Sequence, residues 1–338
     1  MNRKLYLLLP FALLTLHACT ASGDPVEGNA EFPNDGGKAS SSDSKSSSSA
    51  VEPDVNSDIF GLFDWVKIPK SSITRGVNSF GVNAFSMATT EVTQKVYKFV
   101  MDELPKQSKE GDKRPVSNVN WFHAALFCNA FSKLAGLDTA YVYKSVIGDS
   151  VLVDLTIDYS AIAVRLPTEN EWEIAARGGT TTTYYWDVDV ASKYAYYGQT
   201  SGPDEVAKKL PNEFGLYDMA GNVAEWTSTV YTEAGVESMA DMNPELSYNA
   251  AKEDPYRLKK KSVRGGSWKD PESMIRSAWR SYEYQNQPRC FVGFRCVRTM
   301  VNDKPGTNKV SGSTAKGGSK SARSSSTGQT LSTRKTRR

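Results

Sequence analysis

Aromatic residues are confined to the middle of this 338-residue chain. All seven tryptophans lie between Trp65 and Trp279, whereas residues 19–58 contain a single aromatic residue and residues 301–338 contain none. Large apolar side chains build a protein core, so a stretch that lacks them cannot bury enough surface to fold. We therefore expect one folded domain at residues 59–300, which is long enough for a substantial core.

Charge divides the chain at nearly the same places. Residues 304–338 carry nine basic residues and no acidic one, and the first 18 residues carry two more basic residues. Removing these from the formal net charge of +3 leaves −8 for residues 19–303. We expect the basic tail, residues 301–338, to be disordered. It either binds anionic envelope surfaces through salt-sensitive contacts or only keeps the protein soluble, and no specific nucleic-acid partner is expected.

The counts of histidine and cysteine exclude several kinds of active site. The chain has two histidines, His17 and His123, and His17 lies in the leader. One remaining histidine cannot build a zinc, copper or iron site that needs two or three imidazoles. The chain also lacks a CxxC pair, a Walker loop and the GxGxxG and GxSxG motifs.

The first 18 residues have the pattern of an export signal. A short basic start precedes an apolar run, Leu5 to Leu16, which is too short to cross a bilayer as a helix. The sequence Leu-His-Ala-Cys that ends at Cys19 then resembles a bacterial lipobox, in which the cysteine takes a lipid before cleavage. Ordinary cleavage near Ala18, with Cys19 unmodified, is the alternative. Thr20 follows the cysteine in place of an Asp, which favours the outer membrane.

We interpret residues 19–58 as a tether that begins at the lipidated Cys19. Eight of the ten positions 40–49 are serine. Such a stretch buries too little apolar surface to offset its ordering entropy, so it stays a flexible spacer. A lipid-anchored domain needs a spacer of this kind to stand clear of a membrane.

Helix starts can be recognised in the body of the chain. Thr93 and Asn120 each precede apolar residues at helical spacing, and side chains of this type accept a hydrogen bond from a backbone N–H of the first turn. Thr168 and Glu171 form a capping box. Two short strands are also predicted, at residues 141–143 and 151–155.

Longer motifs resemble the formylglycine-generating enzyme family, also called sulfatase-modifying factors. The segments that carry the resemblance are 165–173 (RLPTENEWE), 211–226 (PNEFGLYDMAGNVAEW), 264–268 (RGGSW) and 293–298 (GFRCVR). They occur in family order and cover about residues 60–300. The resemblance implies an irregular α+β fold related to C-type lectins, with little regular secondary structure.

The resemblance also indicates where the enzymes of this family carry out catalysis. Two cysteines there bind copper(I) and oxidise a substrate cysteine to formylglycine. The corresponding positions here are Asp270 and Ile275, which supply no thiolate for a soft cuprous ion. The iron-dependent relatives hold their metal with histidines that this chain lacks. We therefore expect neither copper nor iron, and we predict a domain without the oxidase activity of the family.

The resemblance implies a disulfide between Cys128 and Cys296. This bond would close a loop of about 168 residues and stabilise the fold by about 4–5 kcal/mol in the chain-entropy model. Export from the cytoplasm would permit it. Cys290 is left over, either as a buried inert thiol or as an alternative partner for Cys128.

The segment 218–225 resembles a structural calcium site of the family. The implied ligands are the Asp218 and Glu225 carboxylates and the Gly221 and Val223 carbonyls, a donor set that suits a hard cation. In the alternative, the two carboxylates only cap turns and accept hydrogen bonds from nearby backbone N–H groups.

Other charged residues of the body are expected to be structural. His123 lies off the main apolar face of its helix, which favours a surface or capping residue over a catalytic base. Five arginines are expected to fix carbonyls and acidic groups in a loop-rich core, with an anionic pocket as the alternative: Arg264, Arg276, Arg280, Arg295 and Arg298.

Three functions remain open. The first is a non-catalytic, lipid-anchored cell-envelope module for binding or assembly, whose partners are envelope proteins or glycans and which reaches the membrane through Cys19. The second is a lectin-like ligand binder that uses the calcium segment or aromatic residues such as Trp186, Tyr196 and Tyr197. The third is an oxidase that converts a protein cysteine to formylglycine with a different metal arrangement.

Overall fold

The computed structural model describes residues 56–75, 77–186, 190–232 and 259–300. The predicted leader, the lipidated Cys19, nearly all of the linker and the basic tail lie outside the described residues. Within the described part, no helix combines the length and the apolar character that crossing a membrane requires.

The helices are short and few. In the described residues they are α1 (Ser57–Phe60), α2 (Gln94–Met101), α3 (Trp121–Leu134) and α4 (Glu169–Arg177). Short 3-10 turns add little regular structure, at Ala191–Lys193 and Glu272–Met274.

The predicted helix starts are confirmed. The Thr93 hydroxyl accepts a hydrogen bond from a backbone N–H of the first turn of α2, at 3.3 Å. At α3, the Asn120 Oδ1 accepts from the His123 N–H at 2.8 Å, and the His123 Nδ1 accepts from the Asn120 N–H. The capping box of Thr168 and Glu171 starts α4. His123 is therefore a capping residue, as expected, and burial lowers its pKa.

The strands are short as well. Their bounds are β1 (Trp65–Ile68), β2 (Ser71–Arg75), β3 (Asn78–Val82), β4 (Phe85–Ala88), β5 (Tyr141–Val142), β6 (Ser145–Ile147), β7 (Val151–Val153), β8 (Thr156–Ile157), β9 (Val164–Arg165), β10 (Ala224–Val230), β11 (Lys260–Arg264), β12 (Arg280–Tyr284), β13 (Val292–Gly293) and β14 (Val297–Thr299). The two predicted strands are confirmed as β5 and β7. Both are shorter than expected, and β7 ends where Asp154 adopts a φ of 53°.

Two four-stranded sheets organise most of these strands. The first has the order β1-β4-β14-β9 and is antiparallel throughout. The second has the order β12-β11-β10-β13, in which β10 pairs antiparallel with β11 and parallel with β13. The remaining strands form the pairs β2-β3, β5-β8 and β6-β7. The architecture is the irregular α+β fold that the motifs predict.

Two clusters of buried apolar side chains form the core. The larger surrounds α3 and includes Trp121, Phe127, Phe131, Trp226 and Phe294. The smaller surrounds α4 and includes Met87, Trp172, Trp186, Leu216 and Ile275. Tryptophans from distant parts of the chain thus lie in both clusters, which agrees with the expectation that the aromatic residues belong to the folded core.

Buried ion pairs hold α4 to the second sheet. Arg264 on β11 donates to Glu173 at 2.7 Å and to Glu169 at 3.3 Å. Arg280 on β12 donates to both carboxylate oxygens of Glu169, at 2.6 and 3.0 Å. Burial alone would raise the pKa of Glu169, but the two arginines hold it below its ordinary value. These arginines have the structural role that the sequence predicts.

The two cysteines that the resemblance pairs face each other in the core. Cys128 on α3 and Cys296, which precedes β14, are fully buried, and their sulfur atoms are 4.0 Å apart as thiols. Burial raises the pKa of the Cys296 thiol. Cys290 is half-buried, which corrects the expectation of a buried thiol.

The first prediction concerns the close approach of β13 to the chain before α3. A Cβ at Gly293 would collide with the carbonyl oxygen of Val116 and lie 2.9 Å from the Val223 side chain. We expect Gly293→Ala to lower the free energy of unfolding by about 1–3 kcal/mol in urea denaturation, because the core must be overpacked or displaced.

Gly81→Ala is the matched control for this change. A Cβ at Gly81 would meet nothing within 4 Å, so its substitution should change the free energy of unfolding by less than about 1 kcal/mol. Equal effects of the two substitutions would contradict the packing constraint at Gly293.

The second prediction concerns the buried thiols. We expect refolding of the purified protein in a glutathione redox buffer to link Cys128 to Cys296, because the fold brings their sulfur atoms to 4.0 Å and the unfolded thiols are accessible to the oxidant. Peptide mapping without reduction should recover that linked pair and find Cys290 alkylated. Recovery of a bond between Cys128 and Cys290, or of three alkylated thiols, would refute the pairing.

Candidate functional site

The turn at Gly265 and Gly266 shapes the region in which the resemblance places catalysis. Both glycines have positive φ, 89° and 66°, a conformation that side chains with a Cβ rarely adopt. A Cβ at Gly266 would also collide with the carbonyl oxygen of Met274 and the side chain of Ile275. The chain after β11 therefore folds back so tightly that residue 266 lies against residues 274 and 275.

Asp270 and Ile275 have different structural roles in this loop. The Asp270 Oδ2 accepts hydrogen bonds from the N–H and the hydroxyl of Ser267, at 2.9 and 2.7 Å. Ile275 is 1% exposed and belongs to the apolar cluster around α4. One position thus stabilises a turn and the other fills the core, and neither offers a soft ligand to copper.

A cavity of about 260 Å³ opens beside Asp270, and we call it the Asp270 cavity. Ala224 of β10 and Val263 of β11 contribute small apolar side chains to its lining. Its polar and aromatic lining consists of Lys269, Asp270, Trp279, Ser281, Glu283 and Phe291. Within the described residues, this lining contains neither cysteine nor histidine, so it offers no thiolate and no imidazole, and its one soft atom is the thioether sulfur of Met274.

Sequence analysis missed most of this lining. Ser281 and Glu283 lie on one face of β12, because side chains alternate along a strand. The alternation of side chains along β12 can be predicted from the sequence. The position of the loop 266–274 over the same face cannot, since it depends on the glycine turn and on long-range packing.

Glu225 in the calcium segment forms a buried ion pair. The Arg295 Nε donates to both of its carboxylate oxygens, at 2.9 and 2.8 Å, and the Trp172 indole N–H donates to Oε2 at 2.8 Å. All three side chains are fully buried. The charge of Glu225 is therefore already neutralised by Arg295.

Two further buried carboxylates lie near this pair. The Asp218 Oδ2 accepts from a backbone N–H at 2.7 Å, and Glu91 accepts from the Val223 N–H at 3.2 Å and the Asn222 side chain at 3.1 Å. Burial raises the pKa of Asp218 to about 6. Burial, with the charges of Asp218 and Glu225, raises the pKa of Glu91 well above its ordinary value. Glu91 lies two residues before the α2 cap Thr93, and no motif of the sequence indicates its contact with residues 222 and 223.

Calcium fits this arrangement only in part. Asp218 keeps Oδ1 without a donor within the described residues, but both oxygens of Glu225 are occupied. The described part of the chain also contains no group of three or more acidic, cysteine or histidine side chains that could hold a metal ion. Asp218 accepts from a backbone N–H, as in the alternative, whereas Glu225 accepts from the Trp172 and Arg295 side chains and from no backbone N–H within the described residues. Calcium at Asp218, Gly221, Val223 and Glu225 stays a prediction from the resemblance.

The aromatic residues proposed for lectin-like binding are largely used within the fold. The Trp186 ring stacks on Tyr184 and Tyr194, with centroids 4.7 and 5.5 Å apart, and Trp186 is 7% exposed. The Tyr197 hydroxyl donates to Glu272 at 3.0 Å. Trp186 therefore offers little ring surface to a sugar.

Comparisons with known proteins agree with this architecture. The sulfatase-modifying factor enzyme 1-like domain matches residues 70–300. The formylglycine-generating enzyme of Mycobacterium tuberculosis is 36% identical over 159 residues, which are 41% of this chain and 52% of that enzyme. The chaperone protein LppX of Paenibacillus barcinonensis is 32% identical over 171 residues, which are 42% of this chain and 61% of LppX. The chain thus spans less than two thirds of either relative.

A solved structure extends the likeness over more of the chain. Treponema denticola variable protein 1 superimposes with a TM-score of 0.57 and 27% sequence identity, covering 70% of this chain and 95% of that protein. The matched family domain, the shared motifs and the irregular α+β architecture point to the same assignment. The chain belongs to the family of sulfatase-modifying factor enzyme 1-like domains.

Proposed function

We propose that this protein is a non-catalytic, lipid-anchored module of the cell envelope that binds a partner or assists assembly. The observation that carries the proposal is the state of the two positions at which the resemblance places copper-binding cysteines. Asp270 is held by Ser267, and Ile275 is packed in the core. Neither side chain supplies the thiolate that a cuprous ion prefers, which supports a binding role over oxidation of a substrate.

The relatives are compatible with a binding role. One bears the name of an enzyme and another the name of a chaperone, so the names of the relatives do not point to a single activity. Function therefore depends on the site that each member carries and not on the fold. In this chain the site is the Asp270 cavity, whose lining suits recognition of a ligand better than redox chemistry.

Anchoring follows from the sequence that precedes the domain. Lipidation at Cys19 after export, with residues 20–58 as spacer, would place the domain at the surface of a membrane, and Thr20 favours the outer membrane. Envelope proteins or glycans are the partners within reach there. The basic tail adds a route to anionic envelope surfaces.

The third prediction tests the absence of catalysis. We expect the purified protein, supplied with copper(I), oxygen and a cysteine-containing peptide, to form no aldehyde on the peptide, because positions 270 and 275 provide no thiolate. Mass spectrometry of the peptide measures the outcome. The double variant Asp270→Cys with Ile275→Cys is the matched positive control for copper binding. Aldehyde formed by the unmodified protein would overturn the proposal.

The fourth prediction concerns the buried carboxylates. A folded-state pKa of about 6 for Asp218 means that its contribution to stability is full below about pH 4 and is lost as the pH rises through about 6. We expect the Tm in chelator to be lower at pH 8 than at pH 5. The loss attributable to Asp218 is at most about 3 kcal/mol, and Asp218→Asn should reduce it.

The exposed Glu213 supplies the control, since Glu213→Gln should leave the pH profile unchanged. Calcium that raises the Tm at pH 8 in the unmodified protein, and not in Asp218→Asn, would support the calcium site. An unchanged Tm with calcium and with chelator would remove that site, and a flat pH profile would contradict the raised pKa.

A further inference from the structure

The Asp270 cavity already holds an ammonium group that belongs to the protein. The Lys269 Nζ lies 3.3 Å from the centroid of the Phe291 ring, which lines the cavity. Lys269 is exposed, and within the described part of the chain its ammonium lies in no ion pair. A cation over an aromatic face is attracted by the negative potential of the ring, and an exposed contact of this kind is weak enough to exchange.

Two carboxylates of the lining keep an acceptor available. Ser267 occupies Oδ2 of Asp270, and no donor within the described residues contacts Oδ1. Arg289 donates to Oε2 of Glu283 at 2.9 Å, and the other Glu283 oxygen has no donor in the same set. Each carboxylate is thus fixed by one oxygen and offers the second, which makes a strong acceptor for a charged donor.

The remaining lining suits the alkyl chain that carries such a donor. Trp279, Phe291 and Met274 provide aromatic rings and a thioether around the carboxylates. A second cation of the protein, the Arg276 guanidinium, rests 5.2 Å from the Trp279 ring centroid. The volume of about 260 Å³ is small for a ligand pocket, so it accommodates one side chain or one short amine.

We propose that the Asp270 cavity binds the alkylammonium group of a ligand, with Asp270 and Glu283 as acceptors, and that Lys269 occupies the place of the ligand when the cavity is free. This assignment rests on the proposed function, because it treats position 270 as part of a binding site and not of a reaction centre. The lysine side chain of a partner protein and a free diamine present the same chemistry.

Isothermal titration calorimetry of the full-length protein tests the proposal with three probes. N-acetyl-lysine amide represents a lysine side chain, 1,5-diaminopentane represents a free diamine, and N-acetyl-norleucine amide lacks the ammonium. We expect binding of at least one of the two amines and none of the norleucine probe. Tighter binding of the lysine probe identifies a polypeptide partner, and tighter binding of the diamine identifies a small amine. Equal heats for the norleucine probe, or no binding of either amine, would overturn the assignment.

Substitutions in the lining have opposite expected effects. Asp270→Asn and Glu283→Gln should each weaken amine binding about tenfold, since each removes a charged acceptor. Lys269→Gln should strengthen it about threefold, because the competing ammonium of the protein is gone. Glu213→Gln, an exposed carboxylate outside the cavity, should change nothing. Superimposable melting curves establish that the variants are folded.

The Lys269 variant is the most discriminating of the four. Weaker amine binding by Lys269→Gln would show that the lysine holds the ligand, and it would overturn the displacement proposed here. The result of the amine titration can also be distinguished from the result of the copper assay. Absence of amine binding without aldehyde formation refutes the ligand alone, whereas aldehyde formation refutes the proposed function whatever the cavity binds.

Discussion

The buried ion pair of Arg295 and Glu225 connects the two four-stranded sheets. Glu225 lies on β10 of the second sheet, and Arg295 lies two residues before β14 of the first. The guanidinium also donates to the carbonyl oxygens of Ala88, Thr89 and Tyr217. A fold with so little regular structure leaves many buried carbonyls without ladder partners, and a planar group with five donors can satisfy several of them at once. Loss of Glu225 would leave this cation buried and unpaired, which typically costs about 3–5 kcal/mol.

The same pair determines the electrostatics of the segment that resembles a calcium site. Arg295 compensates the charge of Glu225, and one positive charge cannot also neutralise Asp218 and Glu91. The negative charges of Asp218 and Glu91 therefore remain uncompensated by Arg295, and a bound proton or cation must neutralise them. The raised pKa values mean that Asp218 and Glu91 bind protons more readily than exposed carboxylates do. A divalent ion would have to compete with Arg295 for Glu225, or bind through Asp218 and backbone oxygens alone.

Features that depend on neighbours in sequence were predictable, and those that depend on distant contacts were not. The caps at Thr93, Asn120 and Thr168 follow from local hydrogen bonding, so the sequence identifies the helix starts correctly. Glu91 lies next to the α2 cap, yet its partner Val223 is 132 residues away, and no local pattern indicates that contact. The Asp270 cavity has the same origin, because it is assembled from three strands and two loops.

Burial of Ile275 makes position 275 part of the core. Its side chain lies against the Gly266 turn and is almost fully buried in the cluster around α4. Replacing it by the smaller cysteine would remove packed methyl groups and leave a void, so the present scaffold is adapted to an apolar side chain at this position. The Asp270 Oδ2 likewise accepts a hydrogen bond from the Ser267 hydroxyl. Beside them lies the Asp270 cavity, and the proposed binding of an alkylammonium group rests on its carboxylates and aromatic rings.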